Sequence, residues 1–185
     1  EDYIARAKSM SAALKAKDPN IRVSVPLLRR DSWANPNWNK NVAEDLTYFD
    51  AVTVHTYVGS DPDDANNSNE AFGTALTARK YLGNSIYDYA HKVAPNKPIW
   101  LTEWGVKSGG PNAVSVLGMV DCYIFMSQNQ DIFERANWFS VNGQLNSHYV
   151  WETYISNSGV ERPRIKYPLE KTLFGSAYEI IRLAL

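Results

Sequence analysis

The stretch Lys97-Pro98-Ile99-Trp100-Leu101-Thr102-Glu103-Trp104-Gly105 decides the fold that the sequence predicts. A proline opens it, an apolar run follows, and a carboxylate, an indole and a glycine close it, which is typical of a buried strand. Such a strand would deliver Glu103 to its carboxyl end, where parallel α/β folds keep their chemistry. Alone the motif is weak, because a glutamate after a strand is more often a solvated loop residue.

The rest of the chain alternates between strand and helix patterns. Apolar runs of strand length occur at residues 21–28, 50–58, 97–105 and 135–141. Helical periodicity occurs at residues 1–17, 42–48, 70–94, 113–127 and 169–185, with Gly83 as an interruption. Pro26 predicts a bulge or the end of the first strand. Residues 142–168 are expected to be a loop, and we find no hairpin signal. The order predicts an α/β fold with four parallel strands in one domain, residues 1–185.

Composition narrows the possible functions. The 185 residues are 44% hydrophobic and 21% charged, enough for a buried core. A net charge of -1 without runs of Lys or Arg argues against nucleic acid, and no apolar run is long enough for a membrane span. Cys122 is the only cysteine and is expected to be a buried, inert thiol. The start at Glu1, without a basic and apolar leader, predicts a cut or processed N-terminus.

Neither a metal nor a cofactor is predicted. The histidines His55, His91 and His148 lie on unrelated elements, without the spacing that places two ligands on one face. No glycine-rich phosphate loop follows a strand. Aromatic residues are abundant at 12%, including six tryptophans. Five of them fall at predicted strand ends or in the loops that follow: Trp33, Trp38, Trp104, Trp138 and Trp151.

Three strand ends together carry a family resemblance. His55-Thr56-Tyr57, Thr102-Glu103-Trp104 and Asn137-Trp138-Phe139 resemble, in order, strands six, seven and eight of the (β/α)8-barrel retaining glycoside hydrolases of clan A. Residues 12–23 look like helix four leading into strand five of the same barrels. The resemblance covers essentially the whole chain but only half of a barrel, so it implies a parallel (β/α)4 half of a TIM barrel. The sequence looks nearest to agarase-like or arabinofuranosidase-like members.

The resemblance implies a role for each matching residue. Glu103 would be the nucleophile, and Tyr57 would donate a hydrogen bond that orients it. His55 would help position the acid/base carboxylate, and Trp138 would form the floor of the sugar subsite. The substrate would be a poly- or oligosaccharide, and the enzyme would be secreted or periplasmic. Neighbouring subsites would be formed by the other strand-end indoles, Trp33, Trp38, Trp104 and Trp151.

The chain departs from the family pattern in its second carboxyl group. Retaining hydrolysis needs an acid/base about 5 Å from the nucleophile, and in this clan it follows an asparagine at the end of strand four, which this sequence does not include. Local substitutes exist on predicted loops, although none follows an asparagine at a strand terminus and solvated loop charge explains each better. They are Asp31, Asp61, Asp63, Asp64 and Glu152.

Two further functions stay open: a carbohydrate-binding protein without catalysis, and an α/β domain of unrelated function. A half-barrel would also have two open strand edges. We expect an inner face left bare, with Val23, Val25, Val52, Val54 and Ile99 or Leu101 on it. The expected partner is an N-terminal half-barrel or a second copy that closes the barrel as a homodimer.

Overall fold

The computed structural model describes residues 2–28, 36–58, 73, 77–106, 113–139, 151–165 and 171–184. The α-helices with both ends described are α1 (Asp2–Lys17), α2 (Trp38–Ala43), α3 (Asp88–Val93), α4 (Ala113–Gln128) and α5 (Leu173–Ala184). Its six strands are β1 (Ser24–Pro26), β2 (Ala51–Val58), β3 (Ile99–Val106), β4 (Phe133–Trp138), β5 (Trp151–Ile155) and β6 (Glu161–Ile165). None of the helices in this part of the chain has the length and apolar character needed to cross a bilayer.

The main sheet has four strands in the order β1-β2-β3-β4, and every neighbouring pair is parallel. Each connection between neighbours crosses over through helical residues, because parallel strands cannot be joined by a tight hairpin. Strand order therefore follows chain order, as in one half of a (β/α)8 barrel. The predicted α/β fold with a parallel (β/α)4 sheet is confirmed.

One face of the sheet, which we call the helix face, forms the hydrophobic core. Val52, Val54 and Val58 project from β2 into a buried cluster that includes Leu82 and Met119 from the helices. Our expectation of a bare valine face is wrong, because alternation along the strands turns these side chains toward the helices. Val25, Val52, Val54, Ile99 and Leu101 are buried, and Val23 is half-buried.

The opposite face, which we call the inner face, is polar. The Thr53 hydroxyl donates to Ser24 Oγ at 2.8 Å across β1 and β2. Trp100 Nε1 donates to Glu134 at 2.8 Å, and the Arg135 guanidinium lies 4.1 Å from the Trp100 ring centroid. Paired charges and hydrogen-bonded indoles tolerate contact with water, so this face does not require the exclusion of water that a hydrophobic core requires.

Several element boundaries differ from the prediction for local reasons. Pro26 ends β1, as expected of a residue without a backbone donor. The helix predicted at 42–48 begins earlier, at Trp38, and ends at Ala43. The Asp45 carboxylate then accepts hydrogen bonds from both the backbone N–H and the hydroxyl of Thr47, a local turn that competes with the helix. The predicted interruption at Gly83 coincides with a π-helical turn, Leu82–Tyr87.

A β-hairpin that we did not predict lies within the expected loop 142–168. Strands β5 and β6 pair antiparallel, with Trp151 opposite Ile165 and Ile155 opposite Glu161. Their turn closes through Ser156 N–H donating to the Val160 carbonyl at 2.9 Å, and Gly159 takes a positive φ of 77°. The Ser-Asn-Ser-Gly turn residues were the available signal, and the absence of a hairpin was a wrong prediction.

Candidate active site

An irregularity in β3 sets which side chains reach the inner face. In the β2–β3 ladder Thr53 lies opposite Trp100, but His55 lies opposite Glu103, so β3 contributes one extra residue between these pairs. Glu103 is three residues after Trp100, and in a regular strand this odd spacing would turn Glu103 toward the helices. The bulge reverses the alternation and turns Glu103 to the inner face, beside His55 and Tyr57.

Three side chains meet near the carboxyl end of β2 and β3. The Tyr57 hydroxyl donates to Glu103 Oε1 at 2.6 Å. His55 Nδ1 lies 3.5 Å from Glu103 Oε2, and its Nε2 forms a 3.0 Å hydrogen bond with Thr102 Oγ1. The structure thus brings together the three residues proposed as catalytic. The Glu103 side chain is 29% exposed, so the carboxylate is held by its neighbours and remains partly accessible.

The environment keeps Tyr57 protonated. Burial raises the pKa of the Tyr57 phenol far above its ordinary value of 10.0, and the hydrogen bond to Glu103 and its negative charge raise it further. A phenol that does not ionise remains a donor at every physiological pH. Its proton therefore stays available for the hydrogen bond to Glu103.

His55 lies beside Glu103 and Thr102. Its two ring nitrogens face Glu103 and Thr102, both from β3. The bulge is what brings these consecutive residues of β3 within reach of one imidazole. The role toward an acid/base carboxylate that we expected for His55 stays a prediction.

Trp104 does not belong to this site. Its side chain is fully buried, with 0% exposure, on the helix face. Its ring packs edge-on against Tyr123 of α4 at 5.0 Å and against Trp138 at 4.8 Å between ring centroids. Consecutive strand residues point to opposite faces, so Glu103 and Trp104 cannot share one cavity. The prediction of a sugar subsite at Trp104 is wrong.

Trp138 is also on the helix face. It lies opposite Trp104 in the β3–β4 ladder, and its ring centroid is 5.1 Å from that of Phe174 in α5. Our expectation that Trp138 and Glu103 point into the same cavity is therefore wrong. Its indole instead packs between the sheet and the C-terminal helix, a structural role that the residue type alone does not distinguish from sugar binding.

The aromatic side chain beside the site is Phe139. Its backbone N–H donates to the Trp104 carbonyl at 2.8 Å, which extends the β3–β4 pairing by one residue. Its ring stands edge-on to that of Tyr57, with 6.3 Å between centroids and 88° between planes, and the residue is 51% exposed. Sequence reasoning missed it because two aromatics are adjacent and only the strand register shows which one faces the site.

Of the other predicted site residues, Trp38 is the one whose side chain is described. Trp38 Nε1 donates to the Pro26 carbonyl at 2.9 Å, and its ring packs on Tyr3 at 4.9 Å, so its described contacts are with β1 and α1. Trp151 and Glu152 lie in β5, where the structure describes their backbone only. The remaining candidates fall outside the described residues altogether: Trp33, Asp31, Asp61, Asp63 and Asp64.

Cys122 is buried in the hydrophobic core. Burial raises the pKa of the Cys122 thiol to about 12, so it stays protonated in the core as expected of a structural cysteine. Among the described residues, no group of three or more His, Cys, Asp or Glu side chains is placed to hold a metal ion.

Comparison with solved structures places the fold. A family 51 α-L-arabinofuranosidase, AbfB, from Bifidobacterium longum superposes with a TM-score of 0.56 at 12% identity, over 78% of this chain and 34% of its own. The α-L-arabinofuranosidase of Thermotoga maritima gives 0.52 at 19% identity, over 76% and 30%. That of Thermotoga petrophila RKU-1 gives 0.56 at 18% identity, over 77% and 30%. The chain thus spans about a third of the length of these proteins. A comparison with curated proteins found no match.

Four parallel strands with helical crossovers are the arrangement of one half of a TIM barrel. The sequence matches the family described as glycosyl hydrolase catalytic core over residues 5–163, and the chain belongs to that family. The resemblance to clan A glycoside hydrolases is confirmed.

Proposed function

We propose that this chain supplies the nucleophile half of a retaining glycoside hydrolase that acts on a poly- or oligosaccharide. The observation that carries the proposal is the 2.6 Å hydrogen bond from Tyr57 to Glu103. A nucleophilic carboxylate must be ionised, rigidly held and accessible on one side. The hydrogen bond from Tyr57 supports the rigid placement, and the 29% exposure of the Glu103 side chain supports its accessibility.

In this proposal Glu103 attacks the anomeric carbon of the bound sugar. One carboxylate oxygen forms the bond to carbon while the glycosidic C–O bond breaks, and the leaving oxygen takes a proton from a general acid. The Tyr57 hydrogen bond to Oε1 leaves Oε2 as the attacking oxygen, with His55 beside it at 3.5 Å. Water, deprotonated by the same acid/base group, then releases the sugar.

The acid/base group is expected to come from outside this chain. Neither described partner of Glu103, Tyr57 or His55, is a carboxyl group. A missing acid/base lowers the rate by about 10²- to 10⁴-fold with natural glycans. Aryl glycosides with good leaving groups need little protonation, so they are the appropriate substrates for this chain.

The partner we propose is a second half-barrel, from another polypeptide segment or a second copy of this chain. Within the described sheet, β1 and β4 each pair on one side only. The outermost helices also carry exposed apolar side chains at helical spacing. They are Tyr3, Met10 and Leu14 on α1, and Leu173, Ile180 and Leu183 on α5.

Hydrolysis of a panel of activated aryl glycosides, an aryl α-L-arabinofuranoside among them, tests the catalytic proposal. We expect slow release of the aryl group by the chain and none by Glu103→Gln. Glu161→Gln, at an exposed position of β6, is the matched control and should release it at the wild-type rate. Release that survives Glu103→Gln would contradict the assignment.

Carbohydrate binding without catalysis is the second candidate, and the half-exposed Phe139 ring beside Tyr57 favours it. A C–H face of a sugar packs well on such a ring. The aryl glycoside panel separates the two functions, because a binding protein would release no aryl group even from the best leaving groups. Equilibrium binding of oligosaccharides would then remain, and it would weaken in Phe139→Ala.

A further inference from the structure

We infer that Gly105 is a positioning residue for Glu103, acting through Tyr57 by having no side chain; the inference rests on the proposed nucleophile role of Glu103. In the β2–β3 ladder Tyr57 lies directly opposite Gly105, while Glu103 lies two residues earlier on β3. Side chains directly opposite each other are closer than diagonal ones. To reach Glu103, the Tyr57 ring must lean across the backbone of Gly105.

The geometry leaves little room for a methyl group at this point. A Cβ added to Gly105 would lie 3.1 Å from Tyr57 Cε1 and 3.2 Å from Tyr57 Cδ1. Both distances are shorter than ordinary carbon–carbon contacts of about 3.5–4.0 Å. The added atom therefore presses on the ring edge of the side chain whose hydroxyl holds Glu103.

The next nearest atom to the added Cβ is a backbone oxygen, at the distance of an ordinary contact. The Phe139 carbonyl oxygen would be 3.4 Å away, and it belongs to backbone rather than to a flexible side chain. The Phe139 N–H is tied to the Trp104 carbonyl at 2.8 Å, which fixes the two strands relative to each other here. The Tyr57 ring is the movable partner, and its displacement would lengthen or tilt the hydrogen bond to Glu103.

Backbone conformation does not account for the glycine. Among the described glycines only Gly159 has a positive φ, so Gly105 has a conformation that other residues adopt readily. A glycine inside a strand lowers stability and offers nothing to pack, and such positions often mark the close approach of another group. Here the approaching group is the Tyr57 ring.

The test measures how fast an activated fluoroglycoside forms a covalent adduct with Glu103, a step that needs no acid. Losing a hydrogen bond to a charged group lowers a rate by roughly 10- to 100-fold, and we expect that loss in Gly105→Ala. In a Tyr57→Phe background, Gly105→Ala should lower the rate of adduct formation little further. Gly83→Ala is the matched control, since its Cβ would make only an ordinary 3.6 Å contact with Phe125.

A spectroscopic readout keeps the test independent of activity. With tyrosine isotope-labelled at Cζ and Tyr57→Phe used to assign the signal, we expect Gly105→Ala to shift the Tyr57 resonance in the direction that Glu103→Gln shifts it. An unchanged resonance, or an equal loss of rate with and without the Tyr57 hydroxyl, would overturn the inference. If the wild type forms no adduct, the proposed function fails, and the resonance still decides the role of Gly105.

Discussion

Tyr57 donates a hydrogen bond of 2.6 Å to Glu103 across the β2–β3 ladder, although the residue directly opposite it in that ladder is Gly105. This diagonal hydrogen bond holds Oε1 of the carboxylate, while Oε2 faces His55 Nδ1 at 3.5 Å. The Tyr57 phenol, whose pKa is raised far above its ordinary value by burial, stays a donor in the physiological range and orients the Glu103 carboxylate. The proposed nucleophile therefore depends on the strand register as much as on its own identity.

Removing the Tyr57 hydroxyl should slow the first chemical step. We expect Tyr57→Phe to lower the rate of adduct formation by about 10- to 100-fold, because a charge-assisted hydrogen bond to Glu103 is lost. The time course of adduct formation with an activated fluoroglycoside measures this rate. Tyr87→Phe, which removes a hydroxyl from the π-helical turn beyond the sheet, should leave it unchanged. Equal rates in wild type and Tyr57→Phe would count against the orienting role.

Two aromatic residues on opposite faces of the sheet, Phe139 after β4 and Trp104 in β3, should separate binding from stability. Phe139→Ala should weaken sugar binding with a small change in the free energy of unfolding, because the ring is half exposed. Trp104→Ala should instead lower the free energy of unfolding by about 3–5 kcal/mol, as a fully buried indole does. Titration calorimetry and urea unfolding measure the two effects, and a reversed pattern would mean that the faces are assigned wrongly.

The Trp100–Glu134 contact predicts acid sensitivity. The hydrogen bond from Trp100, followed by that from Arg22, lowers the pKa of the Glu134 carboxyl below its ordinary value of 4.5. A carboxyl with a lowered folded pKa contributes stability above its unfolded pKa, and that stability is lost as pH falls through the folded value. The difference in unfolding free energy between wild type and Glu134→Gln should therefore be constant above pH 4.5 and shrink below it. A difference independent of pH would exclude this linkage.

The exposed helix faces predict assembly. At micromolar concentration the chain should scatter light as a dimer or larger species unless a complementary half-barrel is present. Ile180→Lys on α5 should weaken the assembly, because it places a charge in the proposed interface. Ile155→Lys is the matched control: Ile155 is 70% exposed on the β5–β6 hairpin and Ile180 is 67% exposed. A stable wild-type monomer without any partner would mean that the half-barrel needs no closure.

Spacing along the chain was enough to predict much of this site. His55 and Tyr57 are two residues apart on a strand, so the period of two places them on one face whatever the register. Alternation of strand and helix patterns likewise predicted the parallel sheet. These features depend on local chemistry, which the sequence contains.

The face of each residue near the β3 bulge could not be predicted. One extra residue in β3 turns Glu103, and not Trp104, to the inner face. The pairing of β3 with β4 likewise turns Phe139, and not Trp138, to the inner face. Both depend on the contact of distant segments, for which adjacent aromatics give no local signal. The valines of β2 were assigned to the wrong face for the related reason that a polar inner face resembles a solvated one.

The most direct measurement of the central claim is the mass of the peptide that carries a trapped sugar. After incubation with an activated fluoroglycoside and proteolysis, we predict a covalent adduct on the carboxylate of Glu103, absent from Glu103→Gln and slow to form in Tyr57→Phe. An adduct on another residue, or none with any activated sugar while the barrel is complete, would contradict the assignment of Glu103 as the nucleophile.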